Sequence, residues 1–171
     1  MLYLNLLITI IPLLAIIPLI AAFFLPFYTK VIPITNILKN ELYIYLDKIK
    51  IETIEYFRIV ETQTFELDDL DSDNNTVKLI KTILALLIIL IIGCIIQLLL
   101  NSLSNKLFHD LVSLFILLLS VLIIGLISYA GPSKGYKIDT GAILCIVFLS
   151  IIFLKEAFTN KIIKNIIKNI Q

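Results

Sequence analysis

Charged residues are absent from four long stretches of the chain, and apolar side chains fill these stretches. The first precedes Lys30, and the other three are 82–105, 111–133 and 140–154. A hydrocarbon core about 30 Å thick requires about 20 apolar residues of helix. The pattern therefore predicts a multi-pass, all-α membrane fold, a four-transmembrane-helix bundle with a small β-containing first extracytoplasmic loop. The predicted helices lie near 5–27, 80–101, 111–130 and 140–157.

The first and last of these helices each have a rival interpretation. The first stretch resembles a secretory signal peptide in its position, but it lacks a basic n-region and is too long, so an uncleaved anchor is favoured. Pro12 and Pro18 inside it predict a kinked helix. The last stretch is short, and its rival is a re-entrant or interfacial segment. Asp139 and Lys155 are expected to reach outward from its two ends.

The predicted outer loop, 30–79, contains several short runs in which polar and apolar residues alternate. Alternation with β-branched and aromatic residues is typical of short antiparallel strands. Helical spacing also fits 41–60 loosely, and a helix there is the rival interpretation. Turns between the strands are not predicted, because no glycine separates them. The alternating runs are Tyr43–Leu46, Lys48–Glu52, Phe57–Ile59 and Thr64–Leu67.

An acidic run, Glu66–Asn75, ends this loop. A calcium-binding loop that began at Asp71 would need Gly at its sixth position and Glu at its twelfth, but Thr76 and Thr82 stand there. The run is therefore interpreted as a solvated linker. Asn74 begins a glycosylation sequon, which is relevant if the loop faces a secretory lumen.

The C-terminal segment, 158–171, is predicted to be an amphipathic basic tail that follows a four-span domain covering 1–157. Isoleucines recur at three- and four-residue steps, while lysines and asparagines occupy the other face. The prediction is a helix that lies on the inner leaflet with its lysines toward anionic lipid head groups. A helix docked on a soluble partner is the alternative. The three membrane-surface lysines are Lys161, Lys164 and Lys168.

Lysines and arginines in the short connections and the tail set the predicted orientation. The tail is basic, whereas 30–81 has more carboxylates than cations. The loops 102–110 and 131–139 are nearly neutral, so the predicted orientation depends on the basic tail. Both termini are predicted to be inside and the long first loop outside.

Composition excludes two broad classes. The chain of 171 residues is 60% apolar and 16% charged, with a mean hydropathy of +1.04. A soluble domain has about half apolar and about a quarter charged residues, and a disordered chain is poor in apolar residues. The net charge of +1 lacks the basic excess that nucleic-acid binding requires. We therefore expect a lipid bilayer and other membrane proteins as partners, with possible self-association, and no nucleic acid.

Residues that carry chemistry are few. His109 and Asp110 are neighbours without a nucleophile beside them, which favours an interfacial cap over catalysis. Cys94 and Cys145 lie inside predicted helices and are expected to behave as small apolar residues. Phosphate-binding, haem and iron–sulfur motifs are absent from the sequence. The sequence therefore predicts that the chain is not an enzyme and that it has no catalytic, metal or cofactor site.

Polar residues inside the uncharged stretches include no ionisable side chain, which argues against a proton or ion relay. Small residues there allow helices to approach each other closely. These polar residues include Gln97, Asn101, Ser113, Ser120 and Ser128. The predicted helix-packing residues are Gly93, Gly125, Gly141 and Cys145.

The predicted topology and two stretches of sequence resemble the claudin-like four-transmembrane superfamily. Leu13–Ile20, continuing to Leu25–Phe27, resembles the first helix of fungal claudin-like proteins of the cell cortex and of pH signalling. Tyr136–Leu144 resembles that superfamily's entry to the fourth helix, where a Gly follows a short polar stretch. The outer loop lacks the superfamily's Trp and its Cys pair. The resemblance implies a scaffold or interaction protein of the plasma membrane that organises membrane regions or partners.

Gly141–Leu149 also resembles the third helix of the mitochondrially encoded sixth subunit of respiratory complex I. In that family further helices follow this stretch, whereas here it is the last predicted span. The alternative function is therefore a small accessory or core subunit of a multi-subunit complex in the mitochondrial inner membrane.

Overall fold

The structure, a computed structural model, describes residues 14–70, 75–101, 106–130, 132 and 135–160. Within these ranges it combines long apolar helices with an antiparallel sheet of five strands. The helices are α1 (14–22), α2 (Asn75–Asn101), α3 (Lys106–Ala130) and α4 (Thr140–Thr159). The strands are β1 (Tyr28–Pro33), β2 (Leu38–Ile44), β3 (Lys48–Glu55), β4 (Arg58–Glu66) and β5 (Lys137–Ile138).

Three helices among the described residues, α2, α3 and α4, are long and apolar enough to cross a membrane. This confirms the prediction of a membrane protein with helical spans. Both α2 and α3 begin five residues before their predicted starts at 80 and 111, because polar residues continue a helix beyond the hydrocarbon layer. Much of the predicted first span lies in 1–13, outside the described residues.

The first helix ends at residue 22, so its predicted end at 27 is wrong. Pro26 disfavours helical backbone at Leu25. The chain leaves the helix through tight turns, in which the N–H groups of Phe23, Phe24 and Leu25 each donate to the carbonyl three residues earlier. Only five residues, 23–27, separate the end of the helix from the start of β1.

The predicted outer loop forms four of the five strands, which confirms the strand interpretation and excludes a helix across 41–60. The strand order is β4-β3-β2-β1-β5, and every neighbouring pair is antiparallel. The fifth strand comes from the short connection between α3 and α4. It pairs with the start of β1, with Tyr28 opposite Ile138. One sheet therefore joins two loops that are distant in sequence.

The turn between β3 and β4 consists of two aromatic residues. Tyr56 has a φ of 46° and Phe57 a φ of 66°, the left-handed backbone that a two-residue hairpin of the primed type requires. Beyond the turn, Glu61 pairs with Thr53 and Ile59 with Ile54, so Val60 is left as a bulge. The bulge bends this free edge strand, which hinders edge-to-edge pairing with another chain.

The hydrophobic core runs through the bundle and continues into the base of the sheet. Helix α3 packs against both α2 and α4. The aromatic rings of Phe27 and Tyr28 join this core at the level where the sheet meets the helices. The other helix faces are apolar and exposed in the isolated chain, as expected for surfaces that contact lipid. The helices and the base of the sheet thus form one packed unit.

Candidate functional site: outer sheet, apolar tip and buried polar cluster

The base of the sheet is bonded directly to the ends of the helices. The N–H of Phe27 donates to the Ile44 carbonyl (2.7 Å), and its own carbonyl accepts from the N–H of Asp139 (3.0 Å). The N–H of Gly141, in the first turn of α4, donates to the Pro26 carbonyl (2.9 Å). These bonds connect the exit from α1, the sheet and the start of α4.

Gly141 allows this close approach because it has no side chain. A Cβ at this position would stand 2.7 Å from the carbonyl oxygen of Leu25 and 3.0 Å from that of Pro26. Backbone atoms cannot move away as the end of a flexible side chain can. Next to it, Asp139 caps α4 by accepting from the N–H of Thr140 (2.6 Å). Gly141 therefore lies directly against the exit from α1.

Tyr28 provides a second connection between the sheet and the bundle. Its hydroxyl donates to the carbonyl of Ile127 in α3 (2.9 Å), and 99 residues separate the two. The ring is 1% exposed, and burial raises the pKa of the phenol. The sequence gives no signal for this contact, because Tyr28 stands at the edge of a predicted span.

The far end of the sheet presents large apolar side chains to solvent. Two adjacent turns form this end, and we call their four exposed residues the apolar tip: Ile34, Ile37, Tyr56 and Phe57. The Phe57 ring is 98% exposed and the Tyr56 ring 65%. A cavity of about 460 Å³ lies between the turns. Such a cluster marks a contact site more often than does a single exposed apolar residue.

The backbone of the apolar tip satisfies its hydrogen bonds internally at several positions. The hydroxyl of Thr35 accepts from the N–H groups of Ile37 (3.3 Å) and Leu38 (3.0 Å). The Leu38 carbonyl accepts from the N–H groups of Ile34 and Thr35, and the Ile37 carbonyl accepts from that of Tyr56 (3.3 Å). The tip therefore presents mainly apolar side chains.

A network of charged residues covers one face of the sheet. Glu41 accepts hydrogen bonds from the Lys39 ammonium (2.6 Å) and the Tyr43 hydroxyl (2.5 Å). These two donors hold the pKa of the Glu41 carboxyl below its usual value, while the bond to Glu41 raises the pKa of Tyr43. Glu52, the cross-strand neighbour of Glu41, pairs with Lys50 (2.5 Å). The lysines offset the repulsion between two carboxylates on adjacent strands.

A buried polar cluster lies at the opposite end of the bundle from the sheet. The cluster consists of side chains from α2, α3, α4 and the residue after α4, and most of them are at most 1% exposed. The exception is Lys155, whose side chain is 6% exposed. The members are Gln97, Ser113, Lys155, Glu156 and Asn160.

The carboxylate of Glu156 is the centre of the polar cluster. One oxygen accepts from the Gln97 amide (2.9 Å) and the Ser113 hydroxyl, and the other accepts from the Lys155 ammonium (2.5 Å). Lys155 also donates to the Gln97 oxygen (3.3 Å), and Asn160 donates to Ser113 (3.0 Å). The ion pair and its hydrogen bonds thus connect all three long helices.

Two sequence-based expectations about this region are wrong. Lys155 turns into the bundle rather than reaching outward. A span also holds a buried ionisable residue, since Glu156 lies about 24 Å along α4 from Thr140 at 1.5 Å per residue, inside a layer about 30 Å thick. The sequence contains a signal for this cluster that was missed. Polar residues occur near the end of α2 (Gln97), near the start of α3 (Ser113) and near the end of α4 (Glu156), which is the same end of the bundle.

The other predicted residues lie at separate positions. Gly93 faces Ile116 of α3, and a Cβ at this position would stand 3.4 Å from the Ile116 side chain. Cys145 is buried. Gly125 is exposed with open space where a Cβ would stand, so it packs against no other helix among the residues that the structure describes. Asn74 and the three tail lysines (Lys161, Lys164 and Lys168) lie outside the described residues, as does most of the predicted tail.

Candidate metal ligands are not gathered in the part of the chain that the structure describes. His109 and Asp110 are 3.8 Å apart at the far end of the bundle from the sheet. Among the described residues, no group of three or more His, Cys, Asp or Glu side chains is close enough to hold a metal ion.

Comparison with protein-family models gives no match, and comparison with curated proteins gives none either.

Proposed function

We propose that this protein is a non-catalytic, four-span membrane scaffold of claudin-like type, which resides in the plasma membrane and binds partners through its outer sheet. The observation that carries the proposal is the attachment of the sheet to the bundle. Gly141, Tyr28 and β5 fix the sheet to the ends of the helices, so its face and tip keep a constant position relative to the bilayer. A fixed, exposed platform suits recognition of a partner better than it suits a moving gate.

The pairing of β1 with β5 supports the proposed topology. It requires the outer loop and the connection between α3 and α4 to lie on the same side of the membrane, with one pair of spans between them. A helix that included 1–13 would be the fourth span and would place both termini inside.

Impermeant labelling tests this topology. Single cysteines replace Ser72 and Asn169 in a chain that lacks Cys94 and Cys145. We expect the two labels to react from opposite sides of the membrane. Reaction of both from the same side would contradict the four-span arrangement.

The competing class is a transporter or channel, in which Glu156 would be the natural relay residue. Purified protein in liposomes, with Glu156→Gln as the matched control, separates the two classes. We expect no selective ion or solute flux from either protein. Selective flux that the Glu156→Gln variant loses would overturn the scaffold proposal.

Partner capture gives the positive test. We expect tagged protein, extracted in mild detergent, to retain membrane-protein partners that are lost when Gly141→Val detaches the sheet. Microscopy of a tagged copy is expected to show it at the cell surface. Location in mitochondria would instead favour the role of a subunit in an inner-membrane complex.

A further inference from the structure

The β3–β4 turn contains residues that its backbone does not favour. Two-residue hairpins of the primed type prefer Asn and Gly, because both central residues have positive φ. Bulky residues at positive φ are uncommon and strained. Here the two residues are Tyr56 and Phe57. The chain therefore keeps two aromatic rings at a position where small residues would give a more stable turn.

These rings contribute little to the fold that would offset the strain. Phe57 is 98% exposed and Tyr56 is 65% exposed. Local backbone strain that persists without a packing benefit indicates that the side chains are needed for something outside the chain.

We propose that the apolar tip inserts into the surface of a second lipid bilayer, one that faces the membrane that the helices span. This inference rests on the proposed function in one respect, namely that the sheet lies outside the spanned membrane. It assigns the tip a lipid partner, whereas other parts of the sheet remain available to proteins.

Internal hydrogen bonds in the two turns lower the cost of placing the tip in an apolar layer. Backbone groups that enter an apolar layer must be satisfied within the chain. The N–H groups of Ile34, Thr35, Ile37, Leu38 and Tyr56 donate to acceptors within the two turns, namely the Thr35 hydroxyl and the Ile37 and Leu38 carbonyls. A tyrosine beside a fully exposed phenylalanine also suits an interface, where the hydroxyl stays hydrated while the ring is buried.

Charge at the tip matches a neutral bilayer surface. Glu55 and Arg58 are direct cross-strand neighbours beside the turn. Lys39, at the cavity wall, is paired with Glu41. Each positive charge beside the tip has a negative charge next to it, so the tip has no net positive charge that would select anionic lipid.

Strand length places the tip away from the spanned membrane. β1 starts at Tyr28, which is bonded to α3, and runs for six residues toward the tip. At about 3.3 Å per residue this strand carries the tip about 20 Å from the helix ends. At this distance from the helix ends, the tip is placed to reach a facing bilayer rather than the membrane that the helices span.

The test uses the full chain in nanodiscs and protein-free vesicles of phosphatidylcholine. We expect the nanodiscs to float with the vesicles, and binding to change less than twofold between low and high salt. The double substitution Tyr56→Asn and Phe57→Gly gives the turn its preferred residues. This variant should keep or raise the thermal stability of the sheet and bind vesicles at least tenfold more weakly.

A matched control removes a ring of the same type near the base of the sheet. Phe65→Asn should leave vesicle binding within twofold of the unaltered protein. The proposal is overturned if the unaltered protein ignores protein-free vesicles, or if the Asn–Gly turn binds as well as the original. Either result leaves partner capture from detergent unaffected, so the proposed scaffold function is tested separately.

Discussion

The two ends of the helix bundle are held together by different chemistry. At the sheet end, backbone groups bond to each other across Gly141, and the nearby side chains are mainly apolar or aromatic. At the other end, a buried carboxylate and ammonium connect three helices. The first arrangement depends on the absence of a side chain, and the second depends on the presence of every partner.

This difference determines which substitutions each end tolerates. At the sheet end, an added methyl group at Gly141 meets backbone oxygens that cannot move aside. In the polar cluster, removal of one charge leaves the other buried without compensation. The informative substitutions are therefore those that add a side chain at the sheet end and those that remove a charge from the polar cluster.

The largest expected effect is in the polar cluster. Glu156→Leu leaves the Lys155 ammonium buried without its carboxylate, and breaking such a pair costs about 3–5 kcal/mol. The expected result is a marked fall in the thermal unfolding midpoint of the protein in nanodiscs. The double variant Lys155→Met with Glu156→Leu should recover most of the loss, because it removes both charges. A single variant as stable as the original would show that the ion pair is unimportant.

At the sheet end, Gly141→Ala should reduce stability by about 2 kcal/mol, within the range typical of overpacking. The new methyl group would stand 2.7 Å from the Leu25 carbonyl oxygen. Gly125→Ala is the control, because open space surrounds its position and alanine favours helix over glycine. Unfolding by heat or denaturant in detergent measures both. Equal effects of the two substitutions would contradict a close approach at Gly141.

Tyr28→Phe keeps the buried ring and removes only the hydroxyl that bonds to Ile127. A buried hydrogen bond of this kind contributes about 1 kcal/mol. The expected change is a small fall in the unfolding midpoint. Tyr129→Phe, at a tyrosine that is 77% exposed, should have no measurable effect.

The smallest effect is the response of the outer sheet to pH. The pKa of the Glu41 carboxyl is lower in the folded protein than its usual value of 4.5. Glu41 therefore stabilises the fold at pH values above 4.5, and this stabilisation is lost as the pH falls through the pKa of the folded state. Tyr43, whose pKa is raised, loses its contribution above pH 10. Circular dichroism of the sheet against pH should show Glu41→Gln less sensitive to acid than the original.

The sequence predicts the long helices well because lipid imposes a simple requirement on them. The uncharged runs locate α2, α3 and α4, and alternation locates strands in the outer loop. The end of α1 was predicted five residues late, since the local turns before Pro26 break the helix inside an apolar run. Apolar content alone does not distinguish helix from a tight turn.

The polar cluster and the apolar tip were not predicted for two different reasons. Gln97, Ser113 and Glu156 meet only because of how three helices rotate about their axes, which depends on packing between distant segments. The β3–β4 turn was not located because Tyr56 and Phe57 replace the Asn and Gly that mark such turns. In both features the residues differ from those that local sequence preferences favour, which is typical of functional or strained positions.

The pairing of β5 with β1 has a consequence for how the protein is made. During synthesis, β1 to β4 leave the ribosome long before Lys137 and Ile138 exist. The edge of β1 that will receive them therefore stays open while α2 and α3 enter the membrane. The Tyr28 hydroxyl likewise has no Ile127 carbonyl to bond until 99 further residues have been made. The sheet is complete only after the segment just before α4 has reached the same side of the membrane as β1. A chain stalled or inverted before its last helix would expose an unpaired strand and an unbonded tyrosine, both available for recognition by quality control.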